Sequence, residues 1–139
     1  AIHGRQTDVV IDGVDISTEM IEKAGNKGAY RNLMVADLTG NFSHLPTGYA
    51  AIVSAGTFTH GHLGPEPLAG LIDHCAAGAV AALGVNSAHF AARGFQAALD
   101  RLQAQDLITV PRFQEVPIYD GRDAAHANDT AYILNFQIT

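Results

Sequence analysis

Cysteine is almost absent from this sequence. Cys75 stands alone among 139 residues, so no disulfide can close within the chain and no cysteine-based zinc cage can be built. That suits a reducing cytoplasm, the compartment expected here. Cations are also scarce: 8 Lys and Arg stand against 14 Asp and Glu, a net charge of -6. Such a balance repels phosphate backbones instead of releasing their counterions, so a nucleic-acid grip is not expected. Charged residues are only 16% of the chain and apolar residues 47%, against roughly 25% charged in ordinary globular domains, which argues against disorder. Long apolar runs are missing as well. None approaches the roughly 18 residues of a membrane span, and the opening AIHGRQTDVV lacks a signal-peptide pattern. The length suits one domain over 1–139. The chain opens on Ala1, as a Met-processed protein or a piece of a longer one would.

What is present alternates. Residues 8–16 (DVVIDGVDI) are β-branched and read as a buried strand, with Ser17 an N-cap for a helix carrying Glu19 in its first turn and Met20, Ile21 and Ala24 at helical spacing. Gly25 or Gly28 closes it. Residues 32–36 (NLMVA) form a second strand and 50–55 (AAIVSA) a third. The third shows no alternation, as when helices cover both faces. Pro65 and Glu66 suit a helix start, Leu68, Leu71, Ile72 and Cys75 share one face, and Gly78 is the stop. A fourth strand spans 79–86, with Ser87 as N-cap beyond it. Phe95, Leu99 and Leu102 stripe another helix, which Gly94 separates from a short preceding turn. Two strand-like stretches at 107–119 and 130–138 close the chain as a hairpin, and Pro111 and Pro117 make the first an edge or bulged strand. The expected fold is α/β: a Rossmann-like, mostly parallel sheet with helices on both faces and a C-terminal antiparallel hairpin.

In such sheets ligands bind beyond the carboxyl ends of the strands. Asp15 ends the first strand, where a carboxylate can accept both hydroxyls of a ribose diol, although Asp at a strand end is more often a turn or cap. Asp37 follows the second strand, 22 residues on. One helix and one returning strand fill that interval, so the two carboxylates fall on one edge of the sheet. An adenosine between them would offer its diol to Asp15 and its amine to Asp37, with Ile16, Met20 and Leu38 against the ring. On spacing alone the core is the favoured place for Met20.

The segments GVDISTEMIEKAGNKGAY, LMVADLTG and YAAIVSAGTFTHGHLGPEPL together resemble class I S-adenosylmethionine-dependent methyltransferases. The likeness is closest to the small methyltransferases grouped with the Williams-Beuren-region methyltransferase-like proteins, and runs from about residue 8 to the C-terminus. It implies S-adenosylmethionine as cofactor, with S-adenosylhomocysteine as product, and a small-molecule acceptor. It also implies ribose binding by Asp15, adenine packing by Ile16 and Met20, adenine-edge contacts from Asp37 and the Leu38 backbone, and the methionine end near Ser54 and Ala55.

The sequence departs from that family at its start. The family's first strand and Gly-rich turn should precede Val9, where Gly4 stands alone, so the domain reads as N-terminally truncated. The gap is expected to close by direct pairing of the 8–15 and 50–55 strands, by pairing or exchange in a dimer, or by a segment outside this chain. Exposed edge and apolar surface lead to the expectation of a homodimer or larger assembly. Cys75-Ala76-Ala77-Gly78 also replaces the family's Pro-Gly-Gly-like turn.

The run THGH at 59–62 begins like a dimetal hydrolase motif, but Gly64 and Pro65 stand where its Asp and third His belong, so no metal is expected. In the methyltransferase reading this loop overhangs the substrate pocket, and His60 orients or deprotonates the acceptor. A surface or capping histidine is the commoner role. Tyr119 is the second weak catalytic candidate, and Asn86, His89, Asp120 and His126 are pocket-wall candidates. Methyl transfer from a sulfonium depends mainly on alignment, so no residue need be indispensable. Cys75, on a helix core face, reads as inert. Two other readings stand beside this one: a methyltransferase-like binding or assembly module without catalysis, and a nicotinamide-dependent oxidoreductase. The latter would need its own G-x-G-x-x-G turn and leaves Asp37-Leu38 unexplained.

Overall fold

A computed structural model describes residues 9–58, 63–117 and 130–139. They fall into two compact units, Ala1–Phe42 and Ser43–Thr139.

The first unit is a β-α-β arrangement: β1 (Asp12–Asp15), α1 (Thr18–Gly25) and β2 (Asn32–Val35). Ser17 starts the helix from an extended backbone, its Oγ accepting from the Met20 N–H at 3.2 Å. This satisfies one of the donors that every helix start leaves open. Glu19 and Lys23 lie at opposite ends of the helix, each at the pole that favours its charge. The helix stops at Gly25, and Gly28 turns the chain back at φ +65°. β1 and β2 are parallel, in register from Asp12 opposite Asn32 to Asp15 opposite Val35. Gly13 is needed for closeness, since a Cβ there would lie 2.8 Å from Leu33 Cδ2 and 3.2 Å from the Tyr30 ring. The strand expected over 8–16 is thus shorter, because its partner supplies only four residues. Nor is it buried: Val10 is 63% exposed and Val14 38%.

The second unit holds β3 (Tyr49–Phe58), α2 (Leu68–Asp73), β4 (Cys75–Asn86), α3 (Ser87–Ala92), α4 (Phe95–Ala104), β5 (Arg112–Pro117) and β6 (Thr130–Gln137). Its sheet order is β3-β4-β6-β5, with β3/β4 parallel and both β4/β6 and β5/β6 antiparallel. The closing hairpin and the edge place of β5 follow the expectation from its prolines. The mostly parallel sheet does not: among the described residues two strand pairings are parallel and two antiparallel, because β6 inserts between β4 and β5.

One core holds this unit together. Leu68 and Ile72 of α2 and Phe95, Leu99 and Leu102 of α4 pack on Ala79, Ala81, Leu83 and Val85 of β4 and Leu134 and Phe136 of β6. The alternation of β4 shows why: Ala79, Ala81, Leu83 and Val85 are buried, whereas Val80 on the other face is 54% exposed. On β3, Val53 is 59% exposed while Ile52 packs on the core. Helices on both faces were expected, and in this unit the core helices share one face.

Three further local expectations change. α2 has only six residues, and its terminal His74 is followed at once by Cys75, the first residue of β4. Gly78 is therefore no helix stop; it lies within β4 at φ +85°, donating its N–H to Ile138 O at 2.8 Å. The N-cap of α3 is Asn86, whose Oδ1 accepts from the His89 N–H at 3.1 Å, and the neighbouring Ser87 hydroxyl instead meets Thr130 Oγ1 at 2.6 Å.

Candidate functional site

Three carboxylates at the strands of the first unit have three different settings. Asp12 is the structural one: its side chain is 2% exposed and takes Arg31 Nε at 3.0 Å, an Arg31 terminal nitrogen at 2.6 Å and the Asn32 N–H at 3.1 Å. This two-pronged clamp fastens the start of β1 to the entry of β2. Sequence reading passed over Asp12; the signal was an Asp inside an apolar strand, a position that demands a partner.

Asp15 is different. Its Oδ1 accepts the Ser17 N–H at 2.8 Å, which turns the chain out of β1 and brings Ser17 to its capping position. Beside it Ile16 is 64% exposed and Met20 51%. The helix buries none of its residues, so Met20 is not core. An apolar surface open to water next to a half-buried carboxylate is an arrangement that packing does not explain.

Asp37 sits just beyond β2. The ladder continues past the strand ends through an Ala36 N–H to Asp15 O bond of 3.0 Å, so Asp15 and Asp37 do reach the same edge. Thr39 folds back on Asp37 Oδ1 with its hydroxyl at 2.6 Å and its N–H at 2.9 Å. First the hydroxyl and then the N–H favour the ionised form, and they hold the exposed carboxyl below its ordinary pKa. Leu38, half-buried, lies between them. Thr39 was missed by sequence reading, although Asp-x-Thr is the spacing of a side-chain-closed turn.

A cavity of about 200 Å³ opens on this unit, lined by Gly13, Asp15, Met20, Lys23, Tyr30 and Leu33 among others. That lies below the roughly 300–1,000 Å³ of small-ligand sites, so it suits one end of a ligand. A larger hollow of about 480 Å³ lies between α2 and α4, lined by Leu68, Ala98, Arg93 and Arg101 among others. None of the candidate catalytic, cofactor-binding or pocket-wall residues read from the sequence lines it.

Ser54 and Ala55 belong to the second unit. Ser54 stands in register with Leu83 in mid-strand, its Oγ buried without a hydrogen-bond partner among the described residues, and Ala55 is exposed. The strand was expected to end here but continues to Phe58 across a register shift. Asn86 and His89 are buried at 7% and 3% exposure. His89 Nε2 donates to Leu63 O at 2.7 Å, with its ring 5.6 Å from Phe95. Both serve the fold around α3, as cap and core contact. Burial pushes the Cys75 thiol up, consistent with an inert side chain. His60, Tyr119, Asp120 and His126, with the rest of THGH, lie outside the described residues. Among the described residues no three His, Cys, Asp or Glu side chains gather as a metal site, and no helix is long and apolar enough to cross a membrane.

No protein-family model matches this chain, and no curated protein matches it. Solved structures do. The CurJ carbon methyltransferase superposes with a TM-score of 0.58 at 15% identity, over 94% of this chain and 42% of that one. An rRNA methylase from Streptococcus thermophilus superposes with a TM-score of 0.53 at 11% identity, over 93% of this chain and 73% of that one. The architecture is therefore that of methyltransferase folds. The chain spans about two fifths of the length of the first of these relatives.

Proposed function

We propose that this chain binds S-adenosylmethionine through its first unit and serves methyl transfer to a small-molecule acceptor, as a class I methyltransferase or a part of one. One observation carries the reading: of two adjacent parallel strands the first ends on Asp15 and the second runs out just before Asp37, with Ile16 and Met20 left open to solvent. The fold likeness to two methyltransferases supports it. The finer kinship with the Williams-Beuren-region group rests on the sequence segments alone. A homodimeric state and a cytoplasmic location belong to the same proposal, the latter resting on the single cysteine.

The residues present fit the cofactor. Asp15 Oδ1 is turned to the Ser17 N–H, and its Oδ2 has no partner among the described residues, so the carboxylate retains acceptor capacity for a ribose diol. Asp37, kept ionised by Thr39, accepts from the exocyclic amine of adenine, while Ile16, Met20 and Leu38 offer apolar contact to the ring. When bound, the cofactor supplies the sulfonium methyl group. Ser54 and Ala55 for its methionine end, and His60 and Tyr119 for orienting the acceptor, are assignments that rest on the sequence resemblance alone and not on the geometry of the first unit. What the chain contributes is placement; the reaction itself needs little proton chemistry.

The test is titration with S-adenosylhomocysteine, followed by calorimetry and thermal shift. Saturation at a hundred times Kd should stabilise the binding fold by about 2.7 kcal/mol, a shift on the order of 10 °C. Asp15→Ala should abolish the effect. Absence of binding by a folded chain, or equal affinity in Asp15→Ala, would overturn the assignment. Binding without turnover across an acceptor screen would favour the non-catalytic module.

A further inference from the structure

The hollow between α2 and α4 has a simple origin. α2 has six residues and α4 ten, so at about 1.5 Å per residue α2 is the shorter by roughly 6 Å. Small residues widen what is left, with Ala69 on one side and Gly94 and Ala97 on the other. All of the walls belong to the second unit, and the volume of about 480 Å³ falls within the roughly 300–1,000 Å³ of small-ligand sites. The floor is apolar, made by buried Leu68, Ala98 and Leu102. The charges on it are unequal. Arg93 reaches Glu66 at 3.5 Å, and Gly64 leaves room for that pair, since a Cβ there would lie 2.9 Å from Arg93 Nη2. Arg101 forms no ion pair among the described residues, and the Gln105 side chain, four residues on, has no hydrogen bond among them. Two guanidiniums against one carboxylate leave a positive charge at the hollow, in a chain whose net charge is -6. The helix dipole accounts for a cation in the last turn of α4. It does not account for the apolar hollow beside it.

We propose that this hollow binds a small organic monoanion, an apolar body carrying one carboxylate. The body lies on Leu68, Ala98 and Leu102, which a purely polar ligand would leave unused. The carboxylate takes N–H donors from the Arg101 guanidinium, and the Gln105 amide adds one more. The excess of a single positive charge selects one negative charge: a dianion would set its second charge against Glu66, which already occupies Arg93. The site stands independently of the cofactor assignment, which rests on the first unit.

Titration of the 139-residue chain with naphthoate, followed by amide NMR, tests this. Saturable shifts should appear in α2 and α4, with a dissociation constant below about 1 mM. Naphthamide, the same body without the charge, and inorganic phosphate, the charge without the body, should each bind at least about tenfold more weakly. Arg101 is exposed, so Arg101→Gln should keep the far-UV circular dichroism and raise the naphthoate dissociation constant at least about tenfold. Ala97→Phe, also at an exposed position, should fill the hollow and abolish the shifts. An absence of saturable shifts in α2 and α4 at millimolar naphthoate overturns the proposal. So does naphthamide or phosphate binding as tightly as naphthoate, or a dissociation constant unmoved by Arg101→Gln.

Discussion

Asp12, Asp15 and Asp37 share a side chain and differ in what surrounds it, which is where prediction is sharpest. Removing Asp12 takes two hydrogen bonds from the Arg31 guanidinium and one from the Asn32 amide, so Asp12→Ala should cost about 2 kcal/mol, read as faster hydrogen exchange at the β1 and β2 amides. Asp37 makes a pH prediction of definite sign. Because its folded pKa is lowered, the favourable Thr39 contacts are in force above the ordinary carboxylate range and are lost as pH falls through the depressed value. Thr39→Val removes the larger cause and should move the Asp37 carboxyl titration, followed by carbon NMR, back up. In the proposed role Asp37 is an ionised acceptor throughout neutral and mildly acidic pH, so its titration should leave cofactor affinity flat there. Cys75 runs the other way: with its thiol pushed up by burial, it should react more slowly at neutral pH with a thiol reagent than free cysteine does.

At the scale of elements, backbone conformation and burial separate two kinds of position in α4. Gly94 sits at φ +72° with open space around its would-be Cβ. Gly94→Ala therefore costs conformation and not clash, about 1 kcal/mol by denaturation. Leu99 is fully buried, and Leu99→Ala should cost about 2–5 kcal/mol, depending on how far the core collapses. This helix was legible in the sequence because its stripe of Phe95, Leu99 and Leu102 and its glycine break are local signals. The same holds for the Ser17 cap. Other features were not legible because their cause is non-local. Cys75 continues a helical stripe but enters β4, since pairing with β3 claims it at Tyr49. The Ser87 cap loses to Asn86, whose amide reaches the His89 N–H while Thr130, 43 residues away, engages the serine. The apolar run of β3 was read as covered on both faces, yet a run of small residues and valines looks the same in sequence whether a second layer covers it or not.

At the scale of the whole molecule the two units are built unequally, and the proposed function concerns the thinner one. The second unit has a continuous helix-on-sheet core with Phe58, Phe95, Leu99 and Leu134 fully buried. In the first, α1 buries no residue and each strand has four, so its order depends on the Ser17 cap, the Asp12–Arg31 clamp and four pairs of β residues. Local opening free energies follow such differences in buried apolar contact. Amides of β1, α1 and β2 should therefore exchange faster than those of β4 and β6 in the chain alone. The site read from Asp15 and Asp37 lies wholly in this unit, and a ligand stabilises what it binds by mass action. S-adenosylhomocysteine should accordingly slow exchange between Gly13 and Thr39 by up to about a hundredfold at a hundred times Kd. The slowest amides of β4 and β6 should change less. Protection confined to the second unit would move the binding site away from the two strand ends, even if the chain bound the ligand. Protection in the first unit that vanishes in Asp15→Ala but persists in Leu99→Ala would tie the ligand to the carboxylate and not to overall stability.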